Sequence, residues 1–418
     1  MKILLIGSGG REHALAKAIT KSGKHTLFIA PGNPGTAQFG KNLPIKITDF
    51  EGIRRYIRGN SIEIVVIGPE MPLVEGIVDF LGDTEVLVIG PTKTAAQLEG
   101  SKAFAKQFMV KYGILTATHK HFGLGSEKHA IQYLQDNPYP LVLKADGLAS
   151  GKGVIICKDY HTAKPILKEM MNGGLFGKAG KTVVIEQFLK GEELSVFIVA
   201  DRKNYIILPS AKDYKKIGDG NTGKNTGGMG AISPSPLAED SVFMQKVIDK
   251  IIEPTLNGLA IENIYYSGFL YFGLMKVGNE PFLIEYNIRL GDPEAQVVLS
   301  RLETDIVDIF QALGNHSLSD ITIQTKSNFA AAVVCASSGY PTNKMSLGLE
   351  ISGLDEVTQS VVYQSGTKME NGILLTAGGR VLSIVAMGAD KKEVLQQCYS
   401  DVKKIDFDGK VYRKDIGK

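Results

Sequence analysis

A dense set of charged and polar side chains lies at residues 285–294, where the chain reads EYNIRLGDPE. The apolar segment Phe282-Leu283-Ile284 just before it predicts a buried strand. Because strand side chains alternate between faces, we expect Glu285, Asn287 and Arg289 to point the same way. A carboxylate and an amide oxygen on one face are hard ligands that suit Mg²⁺ shared with a phosphate. A neighbouring guanidinium can bind a carboxylate or a phosphate.

A turn is predicted directly after this strand. Gly291 and Pro293 interrupt the extended pattern, so Asp292 and Glu294 should be aimed differently from Glu285. The alternative is an ordinary strand end carrying solvated charges. We favour a site, because ligands bind at the carboxyl ends of strands in α/β folds.

A glycine-rich segment, Gly7-Ser8-Gly9-Gly10-Arg11-Glu12, links the first predicted strand to the first predicted helix. Backbone amides and a helix N-terminus favour an anion, so we predict a site for a sugar phosphate. A dinucleotide site fits poorly, because Glu12 takes the third glycine position and the second strand ends in Ala30-Pro31-Gly32 without an acid. A purely structural turn remains an alternative. Glu70, after the third strand, is placed to bind ribose hydroxyls.

Lys144 ends an apolar strand and precedes a glycine-rich flap, Gly147–Gly153. A lysine beneath such a flap is one way to hold the phosphates of ATP. The segment is not a Walker A loop, because Gly153 stands where Ser or Thr should be. The alternative is a simple hairpin with glycines at its turn.

The segment 183–194 reads VVIEQFLKGEEL, an apolar strand followed by a connector. Such a connector can bind adenine through its backbone, and a carboxylate beyond it can bind ribose. We expect Glu193 in that role, with Glu192 as its rival and an acidic turn as the structural alternative. Farther along, Asn225-Thr226-Gly227-Gly228-Met229-Gly230 offers small residues that can close over a substrate, and Asp213 upstream can hold an ammonium group. His119 and His121 lack a third ligand and are expected at the surface.

The first hundred residues alternate strand and helix patterns, which predicts a doubly wound parallel sheet. The predicted strands are Ile3–Ile6, Thr26–Ala30, Ile62–Ile67 and Val86–Ile89, and the helices are Arg11–Ser22, Phe50–Arg58, Leu73–Leu81 and Thr94–Val110.

Later segments predict a small α+β lid, a long functional loop and a β-rich end. The lid has strands Leu141–Lys144, Gly153–Cys157 and Val183–Gln187 with a helix His161–Met171, and the loop is Asp213–Gly230. A helix Ser241–Leu256 and strands Gly268–Met275 and Phe282–Tyr286 follow, and then strands Phe329–Cys335, Glu350–Ile351, Val361–Tyr363 and Arg380–Met387.

Length and composition exclude several classes of protein. A chain of 418 residues predicts two to four domains, and a net charge of +3 argues against a dedicated nucleic-acid binder. No apolar run approaches the length that spans a membrane. The three cysteines, Cys157, Cys335 and Cys398, lie far apart without metal spacing, which predicts buried thiols in the cytoplasm.

Taken together, the motifs resemble the glycinamide ribonucleotide synthetase family of ATP-grasp ligases over nearly the whole chain. The resemblance lies in the segments GSGGREHAL, GPEMPLVEGIVD, GPTKTAAQLEGSKAFAK, LVLKADGLASGKGV, IEQFLKGEELSV, NTGGMGAISP, EYNIRLGDPEAQ and LLTAGGRVLSIVA. Their order and spacing make the resemblance specific. It implies a multi-domain α/β protein: an N-terminal parallel-sheet domain (1–101), a central α+β ATP-grasp domain (102–326, lid about 120–190) and a small β-rich domain (327–418).

The resemblance also implies the reaction of the family. ATP phosphorylates the carboxylate of glycine with the help of Mg²⁺ or Mn²⁺, and the amine of 5-phosphoribosylamine attacks the acyl phosphate. The products are glycinamide ribonucleotide, ADP and phosphate. In-line phosphoryl transfer needs positioning and neutralised charge, and no nucleophilic Ser or Cys. The implied partners are these small molecules, in a monomer that uses neither nucleic acid nor membrane.

Residue roles follow from the match of motifs. Glu285 and Asn287 match the metal ligands of the family. Arg289, Asp213 and Asp292 are the expected catalytic residues. The ATP-binding set is Lys106, Lys144, Gly151, Lys152, Gly153, Glu186, Leu189 and Glu193. The phosphoribosylamine-binding set is Ser8, Gly9, Gly10, Arg11, Glu12, Asn33, Pro69 and Glu70, and the substrate loop is Asn225, Thr226, Gly227 and Gly228.

The chain departs from the family where Tyr214 stands between Asp213 and Lys215 in place of the usual histidine. A histidine role there cannot be carried over. The main rival function is a related purine-pathway ligase that uses formate or bicarbonate. A nicotinamide-dependent oxidoreductase and a non-catalytic nucleotide sensor are weaker rivals, the latter because Glu285 and Asn287 are both present.

Overall fold

The structure is a computed structural model, and it describes residues 1–149, 151–202 and 204–418. Five parallel strands form the N-terminal sheet, as the alternation of elements predicts. In spatial order they are Lys41–Asn42, Thr26–Pro31, Lys2–Gly7, Ile64–Ile67 and Leu87–Ile89. Strands Lys2–Gly7 and Ile64–Ile67 lie at the centre and are almost entirely buried, which explains their unbroken apolar runs.

Helices connect and flank these strands, and their bounds are Gly10–Thr20, Phe50–Asn60, Glu70–Glu75, Ile77–Phe80, Gln97–Gly100 and Lys102–Lys111. Two helices predicted as continuous, Leu73–Leu81 and Thr94–Val110, are each divided in the structure. Gly76 has φ +94°, a left-handed conformation that ends one helix and starts another. Ser101 is extended and accepts a hydrogen bond from Phe104 N, so it caps a new helix at Lys102.

The central region contains two four-stranded antiparallel sheets. The lid sheet has the order His119–Phe122, Val183–Gln187, Leu141–Ala145 and Val154–Cys157, with helices Glu127–Asp136 and Tyr160–Met171. The second sheet has the order Asn204–Ile207, Glu192–Asp201, Ser267–Val277 and Glu280–Asn287, flanked by helical segments Ser241–Val247, Ile248–Ile252 and Glu253–Ile261.

Two interpretations of the central region need correction. The acidic residues after the connector do not form a turn, because Glu192 begins the long strand Glu192–Asp201, whose apolar residues from Leu194 onward are buried. The segment predicted as a loop, Asp213–Gly230, contains a hairpin of Lys216–Gly218 with Thr222–Asn225. These two strands are short and mostly polar or glycine, so no apolar periodicity marks them.

The last sheet is antiparallel, with the order Lys212–Asp213, Gly230–Ser233, Phe329–Ala336, Arg380–Gly388 and Val361–Gln364. Its first two strands therefore come from chain that precedes residue 327. A small hairpin, Thr367–Glu370 with Ile373–Thr376, and a helix, Lys391–Lys404, complete this region. The β-rich prediction is confirmed, although this helix and helices Glu294–Arg301 and Ile306–Gly314 were missed.

Within the described ranges, the model contains no helix with both the length and the hydropathy needed to cross a bilayer.

Candidate active site

Strand Glu280–Asn287 places the first pair of predicted ligands at its carboxyl end. Glu285 and Asn287 are two residues apart and so share a face. Lys215 Nζ lies 3.4 Å from Glu285 Oε1. Burial acts to raise the pKa of Glu285, but Lys215, Lys144 and Lys102 overcome it and hold the pKa at about 2. The carboxylate is therefore ionised at neutral pH and available to a cation.

The donor set fits a divalent ion that is shared with a ligand. The residue opposite Glu285 on the neighbouring strand is Gly273, which supplies no second carboxylate. Among the residues that the structure describes, no group of three His, Cys, Asp or Glu side chains could hold a metal on its own. A Mg²⁺ ion commonly takes one or two protein oxygens and completes its shell with water and phosphate. Glu285 and Asn287 match that pattern.

Behind these ligands lies the lysine cluster, which we define as Lys106, Lys144 and Glu186. Lys144 Nζ is 2.9 Å from Glu186 Oε2, and Lys106 Nζ is 3.3 Å from Glu186 Oε1. All three side chains are almost fully buried. Burial lowers the pKa of Lys106 to about 8, whereas burial of Glu186 is outweighed by the two lysines, which lower its pKa. Two cations around one carboxylate leave a positive excess suited to phosphate.

The lysine cluster joins the lid sheet to the strand that carries the ligands. Lys144 Nζ donates to Ile284 O at 3.3 Å, next to Glu285. Lys106 Nζ donates to Thr116 Oγ1, whose hydroxyl donates in turn to Leu283 O at 2.7 Å. Phosphates held by the lysines would therefore lie beside Glu285 and Asn287.

The flap over this space begins at Asp146, whose carboxylate accepts hydrogen bonds from Ala103 N and Ser101 Oγ. Gly151 has φ +73°, and a side chain there would approach Thr226 O. Lys152 Nζ lies 5.8 Å from the centre of the Tyr340 ring. Gly153 O accepts from Ala145 N, which closes the hairpin. Ser150, also in the predicted flap, lies outside the described residues.

The connector Phe188–Lys190, including Leu189, has no regular secondary structure. Glu193 is half-buried, and its carboxylate lies 3.8 Å from Lys215 Nζ. Its rival Glu192 is exposed. The structure thus places Glu193 in the group around Lys215.

Arg289 belongs to a second, partly buried group, the arginine cluster, which we define as Arg289, Glu70 and Glu99. Arg289 Nη2 donates to Glu99 Oε1 at 2.8 Å, and Arg289 Nε donates to Glu70 Oε2 at 3.2 Å. Glu99 Oε2 also accepts from Ile288 N at 2.9 Å. Burial raises the pKa of Glu99 to about 7; burial of Glu70 is outweighed by Arg289 and Arg11, which hold its pKa at about 2. Glu70 therefore positions Arg289 in addition to any contact with ribose.

The glycine-rich segment is already hydrogen-bonded within the protein. Gly9 N donates to Glu12 Oε2 at 2.6 Å, and Arg11 N donates to Asp292 Oδ2 at 3.3 Å. Arg11 Nε lies 2.6 Å from Glu12 Oε1. Two carboxylates thus face the helix N-terminus, so a phosphate there would meet negative charge. This arrangement weakens the prediction of a phosphate site at these amides.

Asn33 and Pro69 complete the N-terminal side. Asn33 Nδ2 donates to Ser8 O and to Gln364 O, both at 2.8 Å, and so ties the loop to the C-terminal sheet. Pro69 precedes helix Glu70–Glu75 and directs Glu70 toward Arg289. Gly10 packs so closely that a side chain would collide with Ser365 and Gln296.

The substrate loop is held by residues of the C-terminal sheet region. Gly227 N donates to Tyr340 Oη at 2.9 Å, and Arg380 Nη1 donates to Gly227 O at 2.8 Å. Arg380 also lies 3.4 Å from Asp292 Oδ1. A side chain at Gly228, which has φ +118°, would collide with Pro293. Asn225 reaches the lid instead, where its amide donates to Val154 O at 3.2 Å.

Asp213 lies in the middle of this arrangement, almost fully buried and 3.9 Å from Lys215 Nζ. Burial raises its pKa well above the usual range, although Lys215 acts in the opposite direction. Thr226 Oγ1 donates to Lys215 O at 2.8 Å, which links Asp213 and Lys215 to the substrate loop.

Most of the predicted residues therefore lie in connected groups around Glu285, Arg289 and the substrate loop. Asn33 binds the neighbouring loop at Ser8 O, and Leu189 lies in the connector. The prediction overlooked Glu99, Lys215, Tyr340 and Arg380. Local signals existed for two of them: Glu99 precedes the capping Ser101, and Arg380 follows the Gly378-Gly379 pair. His121 is exposed, as expected, whereas His119 is half-buried and pairs across the lid sheet with Glu186 of the lysine cluster.

Family models match almost all of the chain. The N domain of phosphoribosylglycinamide synthetase matches residues 1–99, its ATP-grasp (A) domain matches 100–295, and its C domain matches 330–418. The chain belongs to the phosphoribosylglycinamide synthetase family. The expected family and the multi-domain α/β fold are thereby confirmed.

Relatives of known name agree with this family. A phosphoribosylamine–glycine ligase of Clostridium acetobutylicum is 46% identical over 100% of both chains, and one of Caldanaerobacter subterraneus is 42% identical over 100% of this chain and 99% of the relative. The crystal structure of a phosphoribosylamine–glycine ligase from Thermotoga maritima superposes with a TM-score of 0.87 at 34% identity, covering 99% of this chain and 100% of the other.

A biotin carboxylase domain from Hydrogenobacter thermophilus has a TM-score of 0.72 at 16% identity, over 98% of this chain and 91% of that one. Because the identity is only 16%, this similarity shows that the two proteins share a fold and does not show a shared function.

Proposed function

We propose that this chain is an ATP-dependent ligase that joins glycine to 5-phosphoribosylamine through glycyl phosphate. The contact of Lys144 Nζ with Ile284 O supports this proposal most directly, because a buried lysine suited to a phosphate then lies next to Glu285 on the strand that carries Asn287. The γ-phosphoryl group would pass from ATP to a carboxylate oxygen of glycine, and ADP would leave. The amine nitrogen would then bond to the glycyl carbonyl carbon as phosphate departs and the amine loses a proton.

Each group of side chains has a role in this proposal. Glu285 and Asn287 would hold a divalent ion, Mg²⁺ or Mn²⁺, which neutralises charge on the phosphate oxygens when bound. Lys106 and Lys144 bind phosphate, since their cluster carries a positive excess. Arg289 stabilises the acyl phosphate from the position set by Glu70 and Glu99. The flap excludes water from it.

The acceptor would lie between the N-terminal loops and Arg289. Ser8, Gly9, Gly10 and Asn33 shape that side, and the carboxylates of Glu12, Glu70 and Asp292 suit hydroxyl and amine groups better than a phosphate. The carboxylates of Glu12 and Asp292 would also repel the phosphates of a dinucleotide at the helix N-terminus, which argues against the hypothesis of an oxidoreductase.

We further propose a cytoplasmic monomer with the domain bounds given above. The three cysteines are free and buried, which supports a reducing compartment. Gel filtration with light scattering tests the oligomeric state.

A turnover assay tests the function. Purified protein is supplied with ATP, Mg²⁺, glycine and freshly made phosphoribosylamine, and ADP is measured. We expect ADP formation that requires both glycine and the amine, and a glycyl hydroxamate when hydroxylamine replaces the amine. Turnover with formate or bicarbonate in place of glycine would instead favour the related ligase, and NADH binding would favour the oxidoreductase.

A further inference from the structure

Tyr214, which stands where the family usually has histidine, is buried in the C-terminal region while its neighbours face the active site. Its side chain is 4% exposed and packs in the apolar cluster with Ile232, Val333 and Ile416. On an extended segment, alternate residues point to opposite sides. Asp213 and Lys215 therefore point away from that cluster, toward Glu285.

The hydroxyl of Tyr214 is bound by an arm of the chain, residues 411–418. Gly417 N donates to Tyr214 Oη at 2.9 Å, and Tyr214 Oη donates to Lys418 O at 3.2 Å. A histidine has no oxygen at this place, so these two bonds depend on the tyrosine. The guanidinium of Arg413 lies 5.2 Å from the centre of the same ring.

The arm also holds the hairpin that connects Lys215 with the substrate loop. Arg413 is 1% exposed, and its Nη1 donates to Lys216 O at 3.2 Å and to Asn221 Oδ1 at 2.9 Å. Gly220 N donates to Asp415 Oδ2 at 2.8 Å, and Lys414 N donates to Asp219 Oδ1 at 2.8 Å. The arm thus contacts the hairpin at two places: the turn that connects its strands, residues 219–221, and its first strand, at Lys216.

The backbone of Tyr214 and Lys215 then carries this anchorage to the substrate loop. Met229 N donates to Tyr214 O at 2.8 Å, and Thr226 N donates to Lys215 O at 2.8 Å. Any shift of Tyr214 would therefore move Asp213 and Lys215 on one side and Thr226 on the other.

We infer that Tyr214 is a positioning residue: its hydroxyl, bound to the arm, orients Asp213, Lys215 and the substrate loop for binding of the amino-acid substrate. This inference rests on the proposed function for the identity of that substrate, glycine. In this role Tyr214 needs its hydroxyl for hydrogen bonds to the arm and transfers no proton.

Tyr399 provides a matched control. Its hydroxyl accepts a hydrogen bond from Ile416 N at 2.9 Å, so it binds the same arm from helix Lys391–Lys404. It has no contact with Asp213 or Lys215 among the described hydrogen bonds. Tyr214→Phe and Tyr399→Phe each keep the ring and remove the hydroxyl, so both should fold.

The first measurement is amide hydrogen exchange of the full chain without ligands. In Tyr214→Phe we expect residues 213–228 to exchange about three- to tenfold faster, as the loss of one or two hydrogen bonds implies. In Tyr399→Phe the increase should be confined to residues 411–418. Wild-type exchange at 213–228 in Tyr214→Phe, or equal acceleration there in both variants, would overturn the inference.

The second measurement is the affinity for glycine, by calorimetry with Mg²⁺ and a non-hydrolysable ATP analogue. Tyr214→Phe should weaken binding by about three- to tenfold and raise KM for glycine equally, with kcat changed less than about twofold. Tyr399→Phe should match wild type. A fall in kcat with an unchanged KM would contradict a positioning role. Failure of the wild type to bind glycine would count against the proposed function, and the exchange comparison would still decide the role of Tyr214.

Discussion

The lysine cluster and the arginine cluster use the same two kinds of charge in opposite proportions. In the first, Lys106 and Lys144 share the single carboxylate of Glu186; in the second, Glu70 and Glu99 share the single guanidinium of Arg289. The lysine cluster is buried and the arginine cluster is partly buried, so the charges of both are less screened than charges on the open surface. The first has a positive excess suited to phosphates. The second holds its one guanidinium, which we propose faces the acyl phosphate, between two carboxylates that suit the hydroxyls and amine of the acceptor.

The pKa values follow this difference. Burial opposes ionisation of every carboxyl, and the number of neighbouring cations decides the result. Two lysines lower the pKa of Glu186 despite its burial, whereas Glu99, which shares Arg289 with Glu70, has its pKa raised to about 7. Within the arginine cluster, Arg289 and Arg11 hold the pKa of the more exposed Glu70 at about 2. The comparison teaches that burial raises each pKa and that neighbouring cations decide whether this rise is overcome.

The largest expected effect is on turnover after removal of a lysine. Lys144→Ala should lower kcat by about a hundred- to a thousandfold, because a preorganised cation facing the phosphates is lost. ADP release under saturating substrates measures it, and circular dichroism checks the fold. Lys168→Ala, an exposed lysine on a lid helix, is the control and should keep wild-type turnover. Normal turnover in Lys144→Ala would remove the lysine cluster from the phosphate site.

Removal of the shared carboxylate should mainly affect stability. Glu186→Gln leaves two buried ammonium groups without a counter-ion and should cost about 3 kcal/mol of unfolding free energy. Urea titration measures the change. Adding Lys106→Met should recover part of the loss, since one buried charge then disappears. A double variant less stable than Glu186→Gln would contradict the charge ratio drawn for this cluster.

A smaller, pH-dependent effect is expected in the arginine cluster. The pKa of Glu99 is raised from 4.5 to about 7, so its ionisation costs stability as the pH rises through that window. As the pH rises from 4.5 to about 7, the unfolding free energy of the wild type should fall relative to that of Glu99→Gln, by at most about 3 kcal/mol. Thermal unfolding from pH 2 to 8 measures the difference.

Glu70→Gln sharpens this test, because its sign is opposite. The pKa of Glu70 is lowered to about 2, so its contribution to stability is present above 4.5 and is lost as the pH falls toward 2. If the unfolding free energy relative to wild type followed the same pH trend in Glu70→Gln and Glu99→Gln, the pKa values of the two carboxyls would not be shifted in opposite directions.

The smallest effect is expected at a surface copy of the lysine cluster. Glu280 also lies between two lysines, 2.9 Å from Lys246 Nζ and 2.5 Å from Lys250 Nζ, but all three side chains are about a third or more exposed to solvent. Glu280→Gln should leave the unfolding midpoint and turnover within error of wild type, because water and salt screen exposed pairs. A loss as large as that of Glu186→Gln would mean that burial is not what separates the two.

Local patterns predicted much of the fold and many of the site residues. The strand before Glu285 and the glycine segments were readable because side-chain alternation and backbone freedom depend only on neighbours in the chain. The strand Glu192–Asp201 was missed because the acidic pair at its start resembles a turn. The hairpin within Asp213–Gly230 was missed because contacts from residues 411–418 hold it together.

By itself, the sequence determined the parallel N-terminal sheet, the strand end that carries Glu285 and Asn287, and, through its motifs, the family. Only the tertiary structure decided which charges meet: Glu70, Glu99 and Arg289 come from distant parts of the chain, as do Lys106, Lys144 and Glu186. Local periodicity says which face a side chain takes, and the packing of whole sheets against one another sets what lies opposite. Arg11 illustrates this, because its Nη1 donates to Leu290 O at 3.2 Å, a partner far along the chain that no local pattern indicates.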